Sequence, residues 1–187
     1  DMQELKEVAA NAGLPAFAAK QMFGWIYQKH VTDIQEMTNI SQKARTLLAE
    51  QYCMGLMPAV EAQRSVDGTA KYLFPTLSGH TVESVFIPDK DRGTLCVSCQ
   101  VGCRMGCKFC ASTKSGWVRN LTPSEMLGQI LIAQKDTGLR ISNVVLMGSG
   151  EPLDNFEIVV RFLQLISDEN GENLSQRNIT LSTCGIV

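Results

Sequence analysis

The sequence predicts an α/β chain: a parallel βαβαβ unit preceded by a small helical segment and an antiparallel β meander. Three observations predict it. Residues 1–57 carry apolar side chains at helical spacing. Residues 58–87 switch to short alternating runs broken by Asp67-Gly68 and Ser78-Gly79, which are hairpin-turn dipeptides. From residue 93 onward, β-rich runs alternate with amphipathic segments, the pattern of strands joined by crossover helices. The expected division is therefore 1–57 (helical), 58–92 (meander) and 93–187 (parallel unit), with the boundary at the charged, turn-rich run Pro88 to Arg92.

Taken in order, Met2 to Asn11 and Pro15 to Gln28 read as helices separated by Gly13, the second with Ala16, Met22, Phe23, Ile26 and Tyr27 on its apolar stripe. A third helix runs from Ser41, an N-cap, to Tyr52. Packing against each other or the next part is the plain role for these helices, and contact with RNA the sharper one. Val60 to Arg64, Lys71 to Leu77 and Thr81 to Ile87 form the meander. Thr94 to Ser98 is a strand that delivers the chain into a cysteine-rich loop. Thr122-Pro123-Ser124-Glu125 combines an N-cap, a proline at the first helical position and a glutamate three residues after the cap. The helix it starts buries Met126, Leu127, Ile130 and Leu131 and ends near Gly138. Asn143 to Met147 suits a strand covered on both faces. The loop from Gly148 to Asn155 leads into a helix with Phe156, Val159, Val160, Leu163 and Ile166 on one stripe, and Asn178 to Leu181 is the third strand. In such sheets ligands gather at the carboxyl ends of the strands, where the cysteine loop, Gly148 to Pro152 and Ser182 to Gly185 all fall. The chain stops directly after a strand, which leads us to expect a fragment of a larger fold.

With 44% apolar and 19% charged residues, the 187-residue chain is neither disordered nor fibrous. No apolar run approaches the roughly 20 residues that span a bilayer, and no signal-peptide pattern opens the chain, so a cytoplasmic protein with no membrane association is expected. An odd cysteine count without export signals points to reduced thiols rather than a disulfide framework. The net charge of −2 gives no bulk attraction for nucleic acid. Locally the balance differs: between Cys96 and Ser124 lie Arg104, Lys108, Lys114 and Arg119, and no acidic residue.

Five of the seven cysteines fall between Cys96 and Cys110, interrupted by Gly102, Arg104, Gly106 and Lys108, which is no core pattern. Cys103, Cys107 and Cys110 are spaced C-x3-C-x2-C. Three thiolates on one loop can hold three irons of a [4Fe-4S] cluster and leave the fourth open to a ligand that is not protein. The alternative is structural zinc on Cys96-x2-Cys99 and Cys107-x2-Cys110, but those pairs are closer than usual zinc spacings and Cys103 is left over. Cys96 and Cys99 also read as small buried strand residues, and Cys53 as core. Gly148 to Pro152 alone is a plain turn as readily as a ligand loop. Trp117 and Arg119 suit a base or phosphate as well as they suit packing. His30 and His80 have no evident partners.

Together, Leu95-Cys-Val-Ser-Cys-Gln-Val-Gly-Cys103, Met147-Gly-Ser-Gly-Glu-Pro152 and Ile179-Thr-Leu-Ser-Thr-Cys-Gly185 resemble the radical S-adenosylmethionine superfamily and, more narrowly, the RNA adenine C2-methyltransferases of the RlmN type. The resemblance extends from the helical segment to Val187. It implies a partial (β/α) radical-SAM barrel, of which this chain holds the first βαβαβ portion, with a [4Fe-4S] cluster and S-adenosylmethionine as cofactors. Carried over residue by residue, Cys103, Cys107 and Cys110 hold the cluster. Phe109 borders the cofactor's adenine, Gly150 and Glu151 take its methionine amino group, and Ser182 binds it further. Glycines admit a close ligand and a carboxylate suits an ammonium. Glu83 corresponds to a proton acceptor and Cys96 to a reactive cysteine that resolves a covalent RNA intermediate. The implied reaction methylates C2 of an adenosine in 23S rRNA, with tRNA as a second substrate and a flavodoxin-like reductant as the expected protein partner. The methyl-carrying cysteine of the family belongs to its C-terminal part and no residue here takes that role. Cys99 and Cys184 stand where many relatives have serine. This chain alone is therefore expected not to methylate RNA. The alternatives are a sibling acting at C8 of the same base, or a metal-stabilised nucleic-acid-binding module without catalysis.

Overall fold

The computed structural model describes residues 1–186; Val187, the last residue of the expected third part, lies outside the described residues. The elements run α1 (Met2–Asn11), α2 (Phe17–Tyr27), α3 (Gln42–Gln51), β1 (Glu61–Arg64), β2 (Ala70–Pro75), β3 (Thr81–Asp89), β4 (Arg92–Cys96), β5 (Gln100–Gly102), β6 (Trp117–Asn120), α4 (Pro123–Thr137), β7 (Arg140–Leu146), α5 (Phe156–Ile166) and β8 (Ile179–Leu181). Short 3-10 turns at Ala111–Thr113 and Pro152–Asn155 punctuate the loops beside the sheet.

The three N-terminal helices bury Ala9, Met22, Ile34, Met37 and Leu48 in a core of their own. Their caps follow from sequence: Asp1 and Glu4 form a reciprocal capping box, and Ser41 Oγ accepts the N–H of Ala44 at 3.4 Å. Arg161 of α5 pairs with Asp1 at 2.8 Å and Glu4 at 2.6 Å, and Lys135 Nζ donates to the His30 carbonyl at 3.0 Å, docking the helical segment on the layer that follows.

Six strands form one sheet in the order β1-β2-β3-β4-β7-β8. Pairing is antiparallel from β1 to β4 and parallel from β4 through β7 to β8. The meander and the parallel unit are thus one continuous sheet, and residues 89–92 are the tip of its β3–β4 hairpin. Helices α4 and α5 bury one face: Leu95, Val97, Val144 and Leu146 pack with Met126, Ile130, Leu131, Phe162 and Ile166. Each such side chain contributes about 1.5–3 kcal/mol of burial. α4 starts with the capping box of Thr122 and Glu125 and Pro123 at its first position, and stops at Gly138, whose φ of 67° is the left-handed cap that glycine adopts without strain.

Three expectations are corrected. On α5 the buried residues are Val159, Phe162, Leu165 and Ile166, while Phe156 is exposed because it is the first helical residue, beyond the carboxyl edge of the sheet. Cys53 is exposed rather than core, since it follows α3 on the way out of the helical segment. The histidines do have partners: a ring nitrogen of His30 lies 3.0 Å from the Tyr27 carbonyl and one of His80 lies 3.1 Å from Ser78 Oγ.

Candidate functional site

The carboxyl ends of β4, β7 and β8 face one edge, and three loops meet there. The cysteine loop, residues 103–116, is the tip of a two-stranded ribbon formed by β5 and β6. Gly102 has a φ of 73°, and a Cβ placed on it would meet the Gly116 carbonyl oxygen at 1.8 Å, so the neck of the loop closes only with glycine there. Cys103 is buried at the end of β5, and its N–H donates to the Gly116 carbonyl at 3.2 Å. Cys107 and Cys110 are half-buried and joined by a turn in which Cys110 N–H donates to the Cys107 carbonyl at 3.0 Å. Phe109 between them is 95% exposed.

All seven cysteines are free thiols, and among the described residues no three His, Cys, Asp or Glu side chains are gathered closely enough to hold a metal ion. Cys103, Cys107 and Cys110 thus share one loop without converging. The donor set fits a thiolate-bound iron–sulfur cluster: three free thiols on a loop bent by left-handed Gly106 and Gly116 and carrying no acidic side chain to compete.

The second loop follows β7. Gly148 and Gly150 lie against the chain leaving β4: a Cβ on Gly148 would meet Ser98 Oγ at 2.7 Å, and one on Gly150, whose φ is 113°, would meet Gln100 Cβ at 2.7 Å and Cys99 Sγ at 2.8 Å. The Ser149 carbonyl accepts the N–H groups of Cys99 at 2.9 Å and Gln100 at 3.1 Å, so backbone bonds fasten the glycine turn to the stretch between β4 and β5. Glu151 is buried at 4% exposure. Burial pushes its carboxyl up, but the Thr183 hydroxyl and the N–H groups of Cys184 (2.8 Å) and Leu153 (2.9 Å) outweigh that, and the net shift is downward. A carboxylate held ionised at low exposure suits an ammonium group. The third loop supplies Thr183 and Cys184 to it, while Ser182, which donates its N–H to the Leu146 carbonyl at 3.3 Å, is exposed beside them.

Glu83 and Cys96 share the sheet face opposite α4 and α5. Val85 pairs directly with Cys96, and Glu83 lies two residues before Val85, so alternation puts all three on that face. The Glu83 carboxylate is exposed and pairs with Lys71 Nζ at 3.2 Å. Cys96 is half-buried; burial pushes its thiol up, partly offset by the Met147 N–H. Cys99 is fully buried, with its thiol pushed up to about 12 by burial and the nearby Glu151 charge, which makes it a packing residue rather than a nucleophile.

Other residues at this edge carried no signal when read singly. Ser98 and Gln129 form a buried polar bridge: Gln129 Oε1 accepts the Ser98 N–H at 3.0 Å and the Ser84 hydroxyl, and its Nε2 donates to the Ser98 carbonyl at 3.0 Å. Ser98 Oγ in turn donates to the Glu83 carbonyl at 2.6 Å and accepts the Ser149 N–H at 2.9 Å. Polar residues alternating with Val97, Cys99 and Val101 were the available hint. Arg119 is packed rather than free for phosphate, clamped on Glu125 at 2.6 and 2.9 Å and on Ser78 Oγ at 2.9 Å. The Trp117 ring is covered by Arg104 at 4.0 Å.

An open sheet with parallel strands, a thiol loop after the first of them and a buried carboxylate behind a glycine turn after the second define a class, and the comparisons agree with it. Residues 97–187 match the family model described as the radical SAM superfamily. A crystal structure of a radical SAM methyltransferase from Sphaerobacter thermophilus superposes with a TM-score of 0.91 at 39% identity, over 99% of this chain and 55% of that one. Residues 1–54 match the N-terminal domain model of the ribosomal RNA large subunit methyltransferases. Probable dual-specificity RNA methyltransferases RlmN are 52% identical in Clostridium botulinum (strain Hall) and 50% identical in Clostridium perfringens (strain 13), each over the whole of this chain. The chain is thus similar over residues 97–187 to the radical SAM superfamily and over its whole length to relatives of the RlmN type. It spans about 55% of the length of the curated relatives it matches.

Proposed function

We propose that this chain is the cofactor-binding part of an RNA methyltransferase that methylates C2 of an adenosine in 23S rRNA, with tRNA as a second substrate. The observation that carries the reading is a three-thiol loop held by the Arg104–Asp154 and Ser112–Ser149 contacts beside the glycine turn that carries a buried, ionised Glu151, at the carboxyl edge of a parallel sheet. Cys103, Cys107 and Cys110 hold the cluster. When bound, the reduced cluster and S-adenosylmethionine supply a 5′-deoxyadenosyl radical, the reagent needed to break an unactivated C–H bond.

The residues of the chain bind and orient. Glu151 and the backbone at Gly150 take the cofactor's ammonium, Ser182 contacts it from the third loop, and the exposed ring of Phe109 borders its adenine. Glu83 is the proton acceptor on the sheet face that also carries Cys96, whose thiol is the group that resolves a covalent RNA adduct. The raised pKa of Cys96 keeps it as a thiol, able to give a proton, until a partner base draws it off. The helical segment 1–57 is an RNA-contacting module, 58–92 a connecting meander and 93–187 the cofactor half-barrel. A flavodoxin-like protein supplies electrons, and the protein works in the cytoplasm; among the described residues no helix is long and apolar enough to cross a membrane.

The test is anaerobic incubation of the iron- and sulfide-reconstituted chain with dithionite and S-adenosylmethionine. We expect 5′-deoxyadenosine and methionine as products, lost in Cys107→Ala, and no C2-methyladenosine when 23S rRNA is added to this chain alone. Stoichiometric zinc with no cleavage product sinks the radical reading, and C2-methyladenosine made by this chain alone refutes its expected inactivity.

A further inference from the structure

Gln100 is fully buried and every polar atom of its amide is engaged. Its Nε2 donates to Asn120 Oδ1 and to Asp154 Oδ2, each at 2.8 Å, and its Oε1 accepts the Glu151 N–H at 2.9 Å. The same Asp154 Oδ2 accepts Arg104 Nε at 2.9 Å, and the Arg104 guanidinium lies over the Trp117 ring. Arg104 directly follows Cys103, and Glu151 closes the glycine turn. The contacts therefore run without a break from the thiol loop to the backbone of Glu151.

Apolar packing does not set that separation. Of residues 103–116 only Cys103 is buried, so the loop is held against the glycine turn by polar contacts: the Arg104–Asp154 pair and the Ser112–Ser149 hydroxyl pair at 3.3 Å. A freely exposed ion pair would contribute little. Here the acceptor carboxylate is only 18% exposed and is shared with a buried amide, which gives it one geometry.

We infer that Gln100, Asp154 and Arg104 are positioning residues that fix the distance between the cysteine loop and Glu151, and so the span across which S-adenosylmethionine reaches from the cluster to its ammonium anchor. The inference rests on the cofactor reading above. Arg104→Gln, at a half-exposed side chain, and Asp154→Asn, which keeps the shape and removes the charge, test it in the whole chain. Two readouts are used: backbone amide exchange of residues 103–116, and titration of the anaerobically reconstituted chain with S-adenosylmethionine.

Both variants are expected to keep the wild-type melting temperature and iron content, to exchange faster across residues 103–116, and to bind the cofactor about tenfold more weakly, the scale of one charge-assisted hydrogen bond. The double variant is expected to lose no more than Asp154→Asn alone, since that change already removes the charged partner of Arg104. Unchanged loop exchange, or faster exchange with unchanged cofactor affinity, overturns the positioning role while leaving the cofactor reading intact. A wild-type chain that loads iron yet binds no S-adenosylmethionine overturns both.

Discussion

At the scale of single residues, the site is made by a few positions where only one side chain works. Gly150 combines a φ of 113° with contacts to Gln100 and Cys99 that leave no room for a Cβ. Gly150→Ala is expected to cost more than ~1 kcal/mol, read as a lower melting temperature, and to open the turn that carries Glu151. A melting temperature equal to wild type would show that the turn relaxes freely. Glu125 is a second such position. Burial raises its carboxyl, but Arg119 and the N–H groups of Thr122 and Leu77 bring it down to about 2 from the ordinary 4.5. A carboxylate lowered on folding adds stability that is complete above its unfolded pKa and is lost as pH falls through the folded one. The chain should therefore lose stability between about pH 4.5 and 2, and Glu125→Gln should be less stable at neutral pH with a flatter acid profile; an unchanged profile would mean the pair contributes nothing. The legible residues were those whose spacing names a chemistry: three cysteines on one loop and Gly-Ser-Gly-Glu-Pro after a strand. Gln100, Asp154 and Gln129 were not legible, because a glutamine or aspartate reads as surface until tertiary contacts bury it.

At the scale of elements, local signals wrote some parts fully and others not at all. α4 has a cap, a first-turn proline and a left-handed terminal glycine, and all three appear where the residues put them. Thr122→Ala should cost about 1 kcal/mol by urea unfolding, the usual worth of an N-cap side chain, and no loss would mean Glu125 alone holds the helix start. Gln129→Leu should cost more, since it strands the Ser98 N–H and carbonyl and the Ser84 hydroxyl in the core, each unpaired group costing about 1–3 kcal/mol. The β5–β6 ribbon, by contrast, lies inside what the sequence presents only as a cysteine-rich loop. Its strands are three and four residues long, and their ends are separated by residues 103–116, far more than the two-residue turn that signals a hairpin locally. Pairing across such a loop is decided by Asn120 and Gln100 meeting inside the protein, which no short window contains.

At the scale of the whole molecule, two apolar cores divide the labour: one within the helical segment and one between the sheet and its two helices. The helix stripes foretold both, whereas the joining of meander and parallel strands into one sheet depends on the β3–β4 pairing and was not visible in composition. That joining puts Glu83 on β3 and Cys96, at the carboxyl end of β4, on one face of the sheet. The central claim is that this edge holds a cluster with one iron open to S-adenosylmethionine. The most direct measurement is EPR of the reconstituted, reduced chain with and without S-adenosylmethionine. We expect a [4Fe-4S] signal that is abolished in Cys103→Ala and changes on adding the cofactor; a wild-type chain that holds zinc and gives no such signal, or a cluster signal indifferent to the cofactor, would contradict an open iron at this edge.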